Sequence, residues 1–116
     1  MVNQVIIVGR LTADPQAETS ENGKKYSHIT LAVPRSYKNS DGLYDTDFIR
    51  CTLWRGIAQS TSEYCKKGDL IGIKGRIQVS SYVDESGDTR YVTDIIAEKV
   101  TFLSNKPSEI KETEEE

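Results

Sequence analysis

Apolar residues in this chain recur at alternate positions, in separate stretches along most of its length. That period belongs to strands with one buried face and leaves little room for a helical fold. Residues 2–11 are rich in Val and Ile and read as a first strand, with Gly9 marking a bulge or bend. Residues 12–23 are polar and carry Pro15 and the Asn22-Gly23 turn pair. Residues 26–33 read as a second strand and 48–54 as a third, and 36–46, with Asn39-Ser40-Asp41-Gly42, as a loop or long hairpin. One segment breaks the period. In residues 56–67, Ile57, Ala58, Thr61, Tyr64 and Cys65 fall on one helical face. Lys66 and Lys67 suit the negative end of that helix, and Gly68 suits a left-handed cap. Residues 70–82 and 90–103 read as strands four and five, joined through Glu85-Ser86-Gly87-Asp88.

Three strands, one helix and two strands predict an all-β fold, a five-stranded OB-fold barrel with its helix between strands three and four. Closure of the sheet removes edges that would otherwise pair with other chains. The predicted domain covers residues 1–103, and residues 104–116 are expected to be a short disordered acidic tail.

That division changes the meaning of the net charge. Eighteen acidic residues outnumber 15 basic ones, for a total of -3, which alone argues against a nucleic-acid partner. Yet Lys106 and Lys111 stand against Glu109, Glu112, Glu114, Glu115 and Glu116, so the whole excess lies in the tail and residues 1–103 are neutral. The tail is either a solvated extension or a phosphate mimic competing for a basic face.

Other functions are excluded by what the chain lacks. Cys51 and Cys65 form no CxxC pair, and His28 is the single histidine, so the usual zinc spacings and a histidine-based triad are not expected. No cofactor or metal, and no enzymatic activity, is expected. Two thiols without a disulfide framework suit a reducing cytosol. No apolar run approaches the roughly 20 residues of a membrane span, and no leader precedes the first strand, so no membrane partner is expected.

The informative pattern is on strand three. Ile49, Cys51 and Leu53 form the aliphatic face, and Phe48, Arg50, Thr52 and Trp54 share the other. On strand four, Ile71, Ile73, Ile77 and Val79 are expected inward around Gly75, with Lys74, Arg76, Gln78, Ser80 and Tyr82 outward. Rings among cations suit single-stranded nucleic acid, because rings stack on unpaired bases and cations neutralise phosphates, neither with regard to sequence. The same rings could instead pack under a loop or in an oligomer interface. Tyr37, between Arg35 and Lys38, is a further possible ring, with Pro34 expected to break the strand register before it. Tyr26, Tyr91 and His28 read as barrel surface or structural residues, Tyr64 as helix packing, and Cys51 as a buried apolar side chain. Gly72 and Gly75 fall mid-strand, where glycine permits close backbone approach rather than a phosphate loop.

These residues resemble a known family. Val8-Gly9-Arg10-Leu11-Thr12 with Asp14-Pro15, Thr30-Leu31-Ala32-Val33 with Arg35, Asp47-Phe48-Ile49 with Trp54-Arg55 and Ala58, then Tyr64, Lys66-Lys67-Gly68, Gly75-Arg76 and Tyr91-Val92-Thr93 are similar to bacterial single-stranded DNA-binding proteins over about residues 1–103. The resemblance implies an OB fold, sequence-independent binding of single-stranded DNA in replication, recombination or repair, a homotetramer, and a cytoplasmic, nucleoid-associated location. It implies stacking by Tyr37, Phe48, Trp54 and Tyr82, and backbone or electrostatic contacts from Arg10, Arg35, Arg50, Arg55, Lys74 and Arg76. Pro34 departs from the family pattern, as does the short tail, which lacks a long linker and a Pro-Phe tip. Replication or repair proteins are accordingly the weaker partner candidates. A primosome-like OB interaction subunit and an RNA-binding OB module are the alternative functions.

Overall fold

The structure is a computed structural model and describes residues 1–104 and 112–114. Its strands are β1 (Val5–Leu11), β2 (Glu18–Thr19), β3 (Lys25–Lys38), β4 (Tyr44–Trp54), β5 (Leu70–Val83), β6 (Thr89–Phe102) and β7 (Glu112–Glu114), with α1 (Arg55–Tyr64) between β4 and β5. The predicted strands two to five are therefore β3 to β6, and β2 is a two-residue addition paired with β3.

Five strands close on themselves in the order β1, β5, β6, β4, β3 and back to β1. Every pairing in that circuit is antiparallel except β4 with β6, which is parallel and brief, at Cys51↔Ile95 and Thr52↔Ile96. The closing pair is equally brief, at Arg10↔Ala32 and Leu11↔Leu31. Alternation sends Ile7, Leu11, Ile29, Leu31, Cys51, Leu53, Ile71 and Ile73 inward, where Ile57 and Ala58 of α1 join them. Burying each large aliphatic side chain contributes about 1.5–3 kcal/mol.

Two glycines set the curvature of the wall. A Cβ on Gly75 would lie 2.2 Å from the Ile96 carbonyl oxygen, and one on Gly9 would lie 2.8 Å from that of Ala32. Gly75 thus permits close approach, as expected. Gly9 does the same at the closing seam, and its pairing with β5 runs through without a bulge.

Beyond the barrel the strands continue as two hairpin arms. The β3–β4 arm turns at Asn39, whose Oδ1 accepts the Asp41 and Leu43 N–H groups at 2.9 and 3.0 Å. The β5–β6 arm turns at Asp84, whose Oδ1 accepts those of Ser86 and Asp88 at 3.0 and 2.9 Å. Each turn ends in a glycine of positive φ, Gly42 at 76° and Gly87 at 82°, the backbone such hairpin loops require. The arms correct one expectation. Ile77 and Val79 are not inward-facing core residues but 43% and 59% exposed, because β5 has left the barrel by that point.

The helix is shorter than its periodicity suggests. It ends at Tyr64, with the Cys65 N–H bonded back to the Thr61 carbonyl. Lys66 and Lys67 lie past the last turn. Gly68, at φ 91°, belongs to the following turn, where Asp69 Oδ2 accepts the Lys66 N–H at 3.0 Å. The expectation of a disordered tail falls largely on residues outside those described. Glu112–Glu114, by contrast, pairs as a strand with β6, Glu112 opposite Thr101 and Glu114 opposite Lys99.

Candidate nucleic-acid interface

Strand register assembles one outer face of the barrel from rows of cross-strand neighbours, about 4.8 Å apart within a row. In the first row, Arg10 pairs with Ala32 and Ala32 with Phe48. The second sets Thr30 beside Arg50. The third runs His28, Thr52, Ile96, Arg76 across β3, β4, β6 and β5. In the fourth, Glu18 pairs with Tyr26 and Tyr26 with Trp54. Phe48 and Trp54 stand six residues apart on β4, so roughly 20 Å of wall separates the two rings. Phe48 is 68% exposed, an unusual state for a phenylalanine on a folded wall, and Trp54 is half-buried.

Trp54, Arg55 and Arg76 line one cleft of about 250 Å³ with Lys24, Gln78 and Ile96. Three of the expected binding residues therefore meet. Arg55 is held there by an unusual backbone. It is the first residue of α1 and has φ 56°, the one non-glycine residue with positive φ among those described. Trp54 before it is extended and makes no side-chain cap. The sharp strand-to-helix junction stores about 1–3 kcal/mol of strain. Arg76 donates to Gln78 Oε1 at 2.8 Å, which orders its guanidinium.

The other expected residues are distributed. Tyr37, 63% exposed, is on the β3–β4 arm, and Tyr82, 55% exposed, is on the β5–β6 arm opposite Arg90. The strand does not stop at Pro34, but its register shifts between Pro34 and Lys38. Arg35 is engaged within the protein. Its Nη2 and Nε donate to Asp47 Oδ1 and Oδ2 at 3.0 and 3.2 Å, and Asp45 stands 3.8 Å away. This pairing holds the Asp47 carboxyl below its ordinary range. Arg10 donates to the Gly68 carbonyl at 3.0 Å. Lys74 pairs with Ile6 of β1 and lines a different groove, about 320 Å³, with Ile6, Val8, Lys99 and Leu103.

Residues 2–103 match the family model described as the single-strand binding protein family. The chain belongs to that family. It is 49% identical over 109 residues to "Single-stranded DNA-binding protein B" of Bacillus subtilis, an alignment covering 94% of this chain and 96% of that protein. It is 40% identical to the "Single-stranded DNA-binding protein" of Oceanobacillus iheyensis, across 94% of this chain and 68% of that one. With "Single-stranded DNA-binding protein A" of Bacillus subtilis it shares 42% identity, across 91% of this chain and 62% of that one.

The sequence reading assigned no binding role to several residues of this family member's outer face. Lys24 joins the Trp54 cleft from the loop before β3. Tyr26 lies beside Trp54 and His28 beside Tyr26, with ring centroids 5.6 and 5.3 Å apart. Their alternation along β3 is visible in the sequence, but only cross-strand register brings Tyr26 to Trp54. Thr52, expected on the open polar face, is instead buried there, held between His28 and Asp94.

Proposed function

We infer that this chain binds single-stranded DNA without reading its sequence, and keeps the strand unpaired and shielded during replication, recombination or repair. The observation that carries this is the outer face itself. Phe48 and Trp54 stand on one wall with Arg50 between them, and Arg55 and Arg76 share the Trp54 cleft. Rings that stack on any base, with guanidiniums that neutralise any phosphate, bind a strand by properties common to all sequences. Tyr37 and Tyr82 extend the path onto the two arms, and Arg10, beside Phe48 across Ala32, extends it towards β1. Family membership and the printed names of the relatives support the same reading.

The chain carries one tryptophan, Trp54, so its fluorescence reports on the site. Adding oligo(dT) should quench it, and binding should weaken with salt at a log–log slope of about -0.7 per neutralised phosphate. Trp54→Ala should weaken binding by about 1–3 kcal/mol. No quenching and no mobility shift at low salt would refute the function.

The homotetramer implied by the resemblance is the proposed assembly. Ile6 and Val8, 71% and 48% exposed, form an apolar strip on β1 away from the Trp54 cleft. Light scattering with and without a single-stranded oligomer measures subunit number and stoichiometry together. A monomer at all concentrations would remove the assembly and leave the binding reading intact.

A further inference from the structure

Thr52 is 2% exposed, although Arg50 and Trp54 on either side of it along the same face reach solvent. Its hydroxyl donates to Asp94 Oδ2 at 2.6 Å, since a carboxylate only accepts. The same oxygen lies 3.1 Å from His28 Nδ1. With its one hydrogen directed at Asp94, Thr52 can only accept from the imidazole. His28 therefore carries its hydrogen on Nδ1, and the ring is oriented from below by a chain running β3, β4, β6. The second Asp94 oxygen accepts the Ile95 N–H at 2.9 Å, so this carboxylate is used within the protein rather than facing the phosphate path.

Tyr26 is held from its other side. Glu18 of β2 pairs with it across the strands, and the Glu18 carboxylate beside the phenol raises the Tyr26 pKa above its ordinary value. Between these two supports stands a run of three rings. His28 and Tyr26 are tilted by 60°, and Tyr26 and Trp54 by 46°. His28 is exposed and Tyr26 half-buried on the outer wall, so neither ring belongs to the barrel core.

We propose that Tyr26 and His28 form a second base-stacking step beside Trp54, which takes the unpaired nucleobase next to the one on Trp54. Glu18, Thr52 and Asp94 are positioning residues for the two rings. The step rests on the single-stranded DNA reading above and extends its ring set on the barrel wall from Trp54 to its neighbours on β3. Phosphate contacts alone need no ring here, so the two kinds of contact separate experimentally.

The test compares oligo(dT) with an abasic sugar–phosphate strand of equal length, on wild type, Tyr26→Leu, Tyr26→Phe and Asp94→Asn. Tyr26→Leu should lose about 5- to 150-fold in affinity for oligo(dT), the range of one stacking contact, and little for the abasic strand. Tyr26→Phe keeps the ring but loses the phenol beside Glu18, and should retain most of the oligo(dT) affinity that Tyr26→Leu loses. Asp94→Asn should lose affinity for oligo(dT) alone. Equal oligo(dT) affinity in Tyr26→Leu and wild type would overturn the proposal while Trp54→Ala still shows a loss. An equal loss on both strands would overturn it too. If Tyr26→Leu does not fold by circular dichroism, ultraviolet cross-linking of wild type to a 5-bromouracil oligomer decides. Cross-links mapped to the peptide holding Tyr26 and His28 support the step, and cross-links confined to other peptides overturn it. A wild type that binds no single strand refutes the function itself, and this step with it.

Discussion

Replacing barrel glycines by alanine should give effects of opposite sign at positions a few residues apart. A Cβ at Gly75 would lie 2.2 Å from the Ile96 carbonyl oxygen, 3.0 Å from its carbon and 3.2 Å from the Ala97 Cα. All three are backbone atoms, so β5 and β6 must separate by about 1 Å to restore ordinary contact, at a cost near the upper end of the usual 1–3 kcal/mol for overpacking. At Gly9 the Cβ meets the Ala32 oxygen and Val33 Cγ2 at 2.8 Å. The valine can shift but the backbone oxygen must be pushed aside, by less than at Gly75, and the loss should be about 1–2 kcal/mol. At Gly72 the nearest atom, Leu103 Cδ1, is 3.6 Å away. There alanine fits, and the restricted unfolded chain should raise stability by about 0.4–1 kcal/mol. Urea unfolding followed by Trp54 fluorescence, at one fixed chain concentration because any assembly would couple to folding, measures the order. Gly75→Ala unfolding within about 0.5 kcal/mol of wild type, half the smallest loss expected at either site, or Gly72→Ala as damaging as Gly75→Ala, would refute the argument from close approach.

Arg55 should reverse the usual helix ranking. At its φ of 56° glycine is unstrained and alanine is not, so Arg55→Gly should be more stable than Arg55→Ala by about 1 kcal/mol in thermal unfolding, while both weaken binding of oligo(dT). Asp47→Asn should loosen the Arg35 guanidinium, leaving Asp45 as its remaining carboxylate, and strengthen oligo(dT) binding at low salt, read by fluorescence titration. Asp47 and Asp84 are both held below the ordinary value of 3.8 by Arg35 and Arg90. Their ion pairs are therefore complete above that value and lost as pH falls through the lower folded-state values, which carboxyl NMR titration should show. Burial pushes the Cys51 thiol up to about 12 and the Cys65 thiol to about 11. Both should react slowly with a thiol reagent at pH 8 until urea unfolds the barrel.

The sequence makes the barrel legible because alternation and strand order are local. Ile49, Cys51 and Leu53 inward and Phe48 and Trp54 outward follow from parity alone. Parity says which face a residue shares and not what covers that face. Ile77 and Val79 keep the inward parity of Ile71 and Ile73, yet β5 has left the core by then, and nothing in their own residue types marks the departure. Thr52 has the parity of Phe48, but Asp94 closes over it from a parallel strand 42 residues away. Gly68 takes the positive φ expected of it, in the turn after the helix rather than at its cap. Pro34 disturbs the register as expected, and the shift before Lys38 absorbs it, so the strand carrying Tyr37 continues.

The two shortest joints of the barrel are not equivalent. At the β1–β3 joint, Arg10 and Ala32 are laid side by side by strands running in opposite directions. The parallel joint between β4 and β6 pairs only Cys51↔Ile95 and Thr52↔Ile96, braced by the Thr52–Asp94 hydrogen bond, and the Trp54 cleft lies across it, with Trp54 from β4, Ile96 from β6 and Arg76 from β5. On the proposed reading, a nucleotide seated there would act as a splint over this short joint. In native-state hydrogen exchange, amides flanking this joint should slow on adding oligo(dT) more than those where β5 and β6 pair within the barrel.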